Sequence, residues 1–257
     1  MRFSAAVLTA FIFTFSAAAA EKAGEVKSLE GKVELIKQEQ VMGKPAKAGS
    51  PLMSDELLRT KRRASAEVVF VDGSTAKVGE SSRLIVKGLD RNKGENAHLQ
   101  KGSVLFDIAK NDSATGDFTI KTGTSIIGVK GTVFAGQVDK DGRTTVILPK
   151  DDANKESSLT ITSASGEQTR LRMGKLVNIS PDGAMRIAGF AGTVAELQQA
   201  IAMGGNIDGG AGNSQSQDSS SALSSASSEG TALLTMPDLG VMGIDKVRID
   251  IDVELED

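Results

Sequence analysis

An all-β domain is what this chain predicts, on three observations. Apolar residues recur at every second position in short runs from Glu21 to about Ile187. Those runs are rich in Val, Ile and Thr, the residues that suit a pleated, half-buried surface. Turn dipeptides, chiefly Asp-Gly, interrupt them roughly every ten residues.

The elements follow in order. Val26, Leu29, Val33 and Leu35 open the series, broken by Gly31. Ala66 to Val71 comes next and is closed by Asp72-Gly73, and Leu84-Ile85-Val86 is closed by Gly88. Val104, Phe106 and Ile108 keep period two, as do Phe118 and Ile120. Val133 to Val138 leads into Asp141-Gly142, and Thr144 to Leu148 leaves it. Leu159 and Ile161 alternate with Thr160 and Thr162 before Ser165-Gly166; Leu171, Met173, Val177 and Ile179 then run to Asp182-Gly183. Asp-Gly between alternating runs predicts type I′ hairpins, in which both central residues take positive φ. Many short strands over about 165 residues fit a sandwich, a barrel or a twisted, solenoid-like stack. The absence of a strict repeat period speaks against a regular solenoid.

Beyond residue 190 the pattern changes. Thr193-Val194-Ala195-Glu196 is a capping-box sequence, Leu197, Ala200 and Ile201 share one helical face, and Gly204-Gly205 stops the run. This predicts a short helix over 194–203 within a segment 191–205. From Asn206 to Gly230, 13 of 25 residues are Ser or Gly, a composition that cannot offset its ordering entropy and predicts a flexible linker. The terminal segment 231–257 ends in aliphatics at odd positions 247 to 255 and charges at the even ones, basic at 246 and 248 and acidic from 250. That is an amphipathic strand pattern. Asp250, Asp252, Glu254 and Glu256 are its candidate partner-binding residues. A linear row of carboxylates does not converge on a cation, so a metal is not expected there. A solvated strand face that resists edge pairing is the plainer role.

Composition excludes several function classes. The chain has 257 residues, no Cys, no Trp, no Tyr and one His. There is no thiol chemistry and no disulfide framework, and His98 alone leaves little room for a His-based triad or metal site. Four of nine Phe lie in the first twenty residues, so stacking platforms for nucleic acid or sugar are not expected. A net charge of −3 also argues against a nucleic-acid binder.

Residues 1–20, with Arg2, an apolar stretch from Ala5 to Phe15 and Ala18-x-Ala20, read as a cleaved secretory signal peptide. The stretch is shorter than the ~20 residues a membrane-spanning helix needs. The expectation is an exported protein in the periplasm, secreted or at the cell surface, and not membrane-spanning after cleavage.

Candidate chemistry is sparse. Arg59-Thr60-Lys61-Arg62-Arg63 is the strongest basic cluster; it suits an acidic partner or an anionic glycolipid, though a charged turn before a strand is the plainer explanation. His98, ahead of an expected Lys101-Gly102 turn, reads as a sheet-surface residue. No serine nucleophile motif stands out. Gly128-Val129-Lys130-Gly131-Thr132 lacks the order of a P-loop. A glycosidase carboxylate pair needs no sequence proximity, which leaves a carbohydrate-active hydrolase as the enzyme alternative. No cofactor and no metal are expected.

Three stretches together resemble the FecR domain family. They are Arg63 to Ser74 with its Phe70-Val71-Asp72-Gly73-Ser74 ending; Leu99-Gln100-Lys101-Gly102-Ser103-Val104-Leu105-Phe106-Asp107; and Phe118 to Thr122 running into Val129-Lys130-Gly131-Thr132-Val133-Phe134. The resemblance covers about residues 60–150, with a β body expected over 21–190. Its motif residues Phe70, Asp72, Gly73, Gly102, Phe106, Val129, Gly131, Thr132 and Phe134 read as structural: glycines for turns, aromatics for the core. The resemblance implies a β-rich periplasmic module. In the best-known members it relays signals from an outer-membrane iron-chelate receptor to a cytoplasmic sigma factor, behind a cytoplasmic anti-sigma segment and a membrane helix. Here a cleavable signal stands before the domain, which implies a free-standing exported relative. The expected function is a non-enzymatic binding or scaffold module of the cell envelope that meets an envelope protein or glycan. The alternative is a sensing or relay component of envelope signalling.

Overall fold

The computed structural model describes residues 21–38, 40–92, 94–111, 116–150, 157–205 and 207. The chain divides into two compact units, Met1–Ser214 and Gln215–Asp257, and all described residues belong to the first. The expected signal peptide, the linker apart from Ile207, and the terminal strand segment lie outside the described residues.

Two sheets are built by a chain that visits them in turn. In sheet A lie β1 (Lys22–Glu30), β4 (Pro51–Met53), the hairpin of β6 (Ser65–Phe70) and β7 (Thr75–Val78), the hairpin of β12 (Val133–Val138) and β13 (Thr144–Leu148), and that of β16 (Lys175–Ile179) and β17 (Met185–Gly189). In sheet B lie β2 (Val33–Ile36), β3 (Lys44–Pro45), β5 (Glu56–Thr60), β8 (Arg83–Val86), the hairpin of β10 (Phe118–Lys121) and β11 (Ser125–Val129), and that of β14 (Ser158–Ser163) and β15 (Gln168–Arg172). The long strand β9 (Glu95–Asp107) belongs to both. Sheet A is ordered β4-β1-β6-β7-β9-β12-β13-β16-β17 and sheet B β3-β2-β5-β8-β9-β10-β11-β14-β15. Every pairing is antiparallel except β9 with β10. The all-β expectation therefore holds, as a sandwich in which successive hairpins stack.

One core fills the space between the sheets because the inward positions are the aliphatic ones. Val26, Val68, Val78 and Val146 from sheet A meet Leu58, Leu84, Leu99, Ile127 and Leu159 from sheet B, all essentially without solvent contact. Four Phe sit in that core: Phe70 meets Phe118 across the sheets at 6.4 Å, and Phe106 stacks on its ladder partner Phe134 at 5.3 Å. The fifth, Phe190, joins a second apolar cluster on the outside of sheet A.

Helix α1 (Val194–Ala202) makes that second cluster. It carries the full capping box: the Glu196 amide donates to Thr193 Oγ1 (3.3 Å) and the Thr193 amide donates to Glu196 Oε2 (2.8 Å). Leu197 and Ile201 press onto Leu105, Ala135, Ile147 and Leu176, the outward aliphatics of β9, β12, β13 and β16.

Two turn expectations are corrected. The hairpin loops are not type I′. At residues 70–74, 139–143, 163–167 and 180–184 the same construction repeats: the first amide donates to the fifth carbonyl, and the fourth amide donates back to the first carbonyl. Only the glycine of each pair has positive φ, at 83°, 82°, 87° and 88° for Gly73, Gly142, Gly166 and Gly183. This is a type I turn followed by a left-handed glycine, so the residue before it keeps ordinary φ.

The second correction is at Lys101-Gly102, which does not reverse the chain. β9 runs on through it with a bulge at Gln100, where the pairing slips from Arg83↔Lys101 to Leu84↔Leu99. Gly102 has φ 87°, and a Cβ there would stand 2.1 Å from Ser82 Oγ. Only glycine lets the strand press against Ser82 as it passes from sheet B to sheet A.

Candidate functional site

The family-motif residues hold the fold together. Asp72, at a hairpin corner, accepts from the Ser74 amide (2.9 Å) and from Ser74 Oγ (3.0 Å), and Ser74 Oγ in turn accepts from the Ala109 amide (3.0 Å). The guanidinium of Arg91, a buried residue, donates to the Ala109 carbonyl (2.7 Å), lies 3.5 Å from Asp72 and sits 5.8 Å from the centre of the Phe118 ring. Asp-Gly-Ser thus ties the β6–β7 corner to the chain leaving β9. Phe70, Phe106, Val129 and Phe134 are buried in the core. Thr132 is buried and its carbonyl accepts from the Ile108 amide (3.2 Å), while Gly131 packs against the Lys110 backbone.

A different arrangement occupies the outer face of sheet B. Strand alternation that turns Leu58, Leu84 and Leu99 inward turns their neighbours outward. The registers align those neighbours in rows. Arg59 stands opposite Glu34 on one side and Arg83 on the other, and Arg83 stands opposite Lys101. The next row is Ile36, Leu57, Ile85 and His98, continuing to Lys121 and Ile126.

Glu34 organises the basic row. Its carboxylate is 10% exposed and accepts from Arg59 through Nε (2.9 Å) and a second, shorter bond from the guanidinium. Lys61 at 3.4 Å and Lys32 at 3.5 Å complete the set. Hydrogen bonding from Arg59 holds the Glu34 pKa below the usual carboxylate range, against an opposing effect of burial and with Lys61 assisting. One carboxylate thus faces three cations.

The expected basic cluster 59–63 is therefore split. Arg59 and Thr60 are on β5, Thr60 buried, while Arg62 and Arg63 are exposed in the turn that follows. Arg83, Lys101 and Lys32 belong to the same positive region and escaped the reading of the sequence. Each is an unremarkable polar residue in its own segment, and only strand register gathers them.

His98 lies on this face with Nδ1 3.5 Å from Glu95, opposite Ile85 and Lys121. Burial lowers its pKa from 6.5, with Glu95 opposing and Lys121 and Lys87 assisting. Among the described residues no three His, Asp or Glu gather to hold a metal. Glu34, Asp72, Asp55 and Glu67 each lie beside a cation. Asp250, Asp252, Glu254 and Glu256 lie outside the described residues.

Comparison with known proteins gives three results. No curated protein matches the chain. Among solved structures, two crystal structures of a putative anti-sigma factor from Parabacteroides distasonis, at 1.65 Å and 2.50 Å resolution, share 11% sequence identity with it, at TM-scores of 0.45 and 0.44. Each alignment covers 52% of this chain and 60% of the other, so the chain spans about three-fifths of the length of the structures it matches. The FecR family model, described as FecR protein, matches residues 56–149. The matched stretch runs from the start of β5 to just past β13, and the strands on either side complete the two sheets to which it belongs.

Proposed function

We propose that the protein is a non-enzymatic binding or scaffold module of the cell envelope, exported by residues 1–20 and built on its FecR domain. The observation that carries this reading is the outer face of sheet B, a broad charged surface that no helix covers among the described residues. Affinity on such a scaffold comes from sheet faces and edges, with aliphatics at the centre and charges at the rim. A sensing or relay role in envelope signalling is the second reading, favoured by the FecR match over residues 56–149. The terminal segment 231–257, with Asp250, Asp252, Glu254 and Glu256, is a second candidate contact for an envelope protein or glycan.

Crosslinking in intact cells tests the reading, comparing the full chain with a deletion of residues 231–257. A specific captured protein or glycan supports the module, and its loss on deletion supports the terminal segment. Unchanged capture by the deletion variant removes the segment from the interface. Failure of both chains to capture anything overturns the module itself.

A further inference from the structure

We propose that the outer face of sheet B docks a partner helix that is aliphatic on one side and acidic along that side's flank, with Arg83 and Lys101 as its charge anchors. This rests on reading the protein as a binding module and names the surface and the chemistry of its partner.

Three observations converge. First, Arg59, Arg83 and Lys101 stand directly opposite one another on three adjacent strands. Like charges in cross-strand register destabilise a sheet. Glu34 relieves Arg59, but no ion pair joins Arg83 or Lys101 to a carboxylate among the described residues. The row is a charge arrangement that the fold does not need and a polyanion would complete.

Second, the neighbouring row on the same strands is aliphatic. Leu57 and Ile85 are paired and partly buried, two residues from Arg59 and Arg83. At about 6.8 Å per two residues, both rows lie within the ~10 Å width of one helix. The chain covers the corresponding aliphatics of sheet A in the same way, with Leu197 and Ile201 of α1.

Third, the geometry favours a protein over a lipid surface. Leu57 and Ile85 are partly buried strand residues beside the basic row, not exposed apolar side chains that protrude from the surface. An anionic bilayer would use the cations and leave the aliphatic row uncovered.

The test measures binding of the full chain to a synthetic helical peptide with a leucine stripe flanked by glutamates, by fluorescence anisotropy. The wild type binds this peptide, binds a glutamine-for-glutamate version about tenfold or more weakly, and loses affinity as salt rises. Arg83→Glu converts the row into alternating charges. It weakens peptide binding about tenfold or more while melting no lower than the wild type, which a merely structural role for Arg83 would not produce. Equal affinity of Arg83→Glu and wild type for the peptide, or no binding of the peptide at all, overturns the proposal. Binding to vesicles containing phosphatidylglycerol but not to the peptide also overturns it and assigns the face to a membrane. In the cellular crosslinking experiment, a partner captured equally by Arg83→Glu removes this face and leaves the module standing, whereas no captured partner removes the module.

Discussion

The two outer faces of the sandwich are alike in backbone and opposite in fate. On sheet A the outward aliphatics Leu105, Ala135, Ile147 and Leu176 belong to β9 and the strands after it, and α1 seals them. On sheet B the outward row Leu57 and Ile85 is flanked by Arg59, Arg83 and Lys101 and carries no helix among the described residues. A covered face contributes stability through burial. A face that keeps like charges in register forgoes some stability, and a surface of that kind is available for binding. The difference teaches where to separate folding from function in this domain: change α1 to disturb the first, and the basic row to disturb the second.

The largest expected effect is on the covered face. Leu197→Ala removes a buried side chain from the α1 interface and should cost about 2–3 kcal/mol, read from urea unfolding. The matching truncation on the other face, Leu57→Ala, starts from a partly exposed side chain and should cost less than about half as much. Equal losses would erase the contrast between the faces.

A smaller effect belongs to Glu34. Glu34→Gln leaves Arg59, Lys61 and Lys32 facing one another without their carboxylate and should destabilise by about 1–2 kcal/mol. The sign with pH follows from its lowered pKa. The ionised form is favoured in the folded state, so its contribution is present above the ordinary carboxylate range and is lost as pH falls through the lowered value. Thermal melts between neutral and acid pH should therefore show a steeper loss in the wild type than in Glu34→Gln.

The smallest effect is at His98. Its pKa is lowered from 6.5 chiefly by burial, so the folded state favours the neutral ring. That contribution is present above pH 6.5 and declines as pH falls below it. His98→Gln should flatten the stability profile just below that pH, and an unchanged profile would show that the ring is as well solvated as in the unfolded chain.

The fold was legible where the signal was local. Period-two apolarity marked most of the longer strands, though not β5, β7 or β11, the capping box marked α1, and the Phe residues of the FecR-like stretches marked the core. Turn positions were legible too, but not turn type, because Asp-Gly suits both a type I′ loop and a type I turn closed by a left-handed glycine. Lys101-Gly102 looked like a turn because glycine breaks an alternating run, whereas here it lets β9 pass close to Ser82 between sheets.

The candidate face was the least legible part. Arg59 was visible inside a basic run, but Arg83 and Lys101 are 24 and 42 residues further along. By itself, then, the sequence determined many of the strands, which side of each of those faces the core, and which short helix is capped, but not β5, β7 or β11. Those properties depend on neighbours two to four residues apart. Only the tertiary structure decided which strands pair and in what register, and therefore that three basic residues line up on one bare face while α1 closes the other. Register is a long-range choice made by the core as a whole, and a one-residue slip would turn each of those side chains to the opposite side.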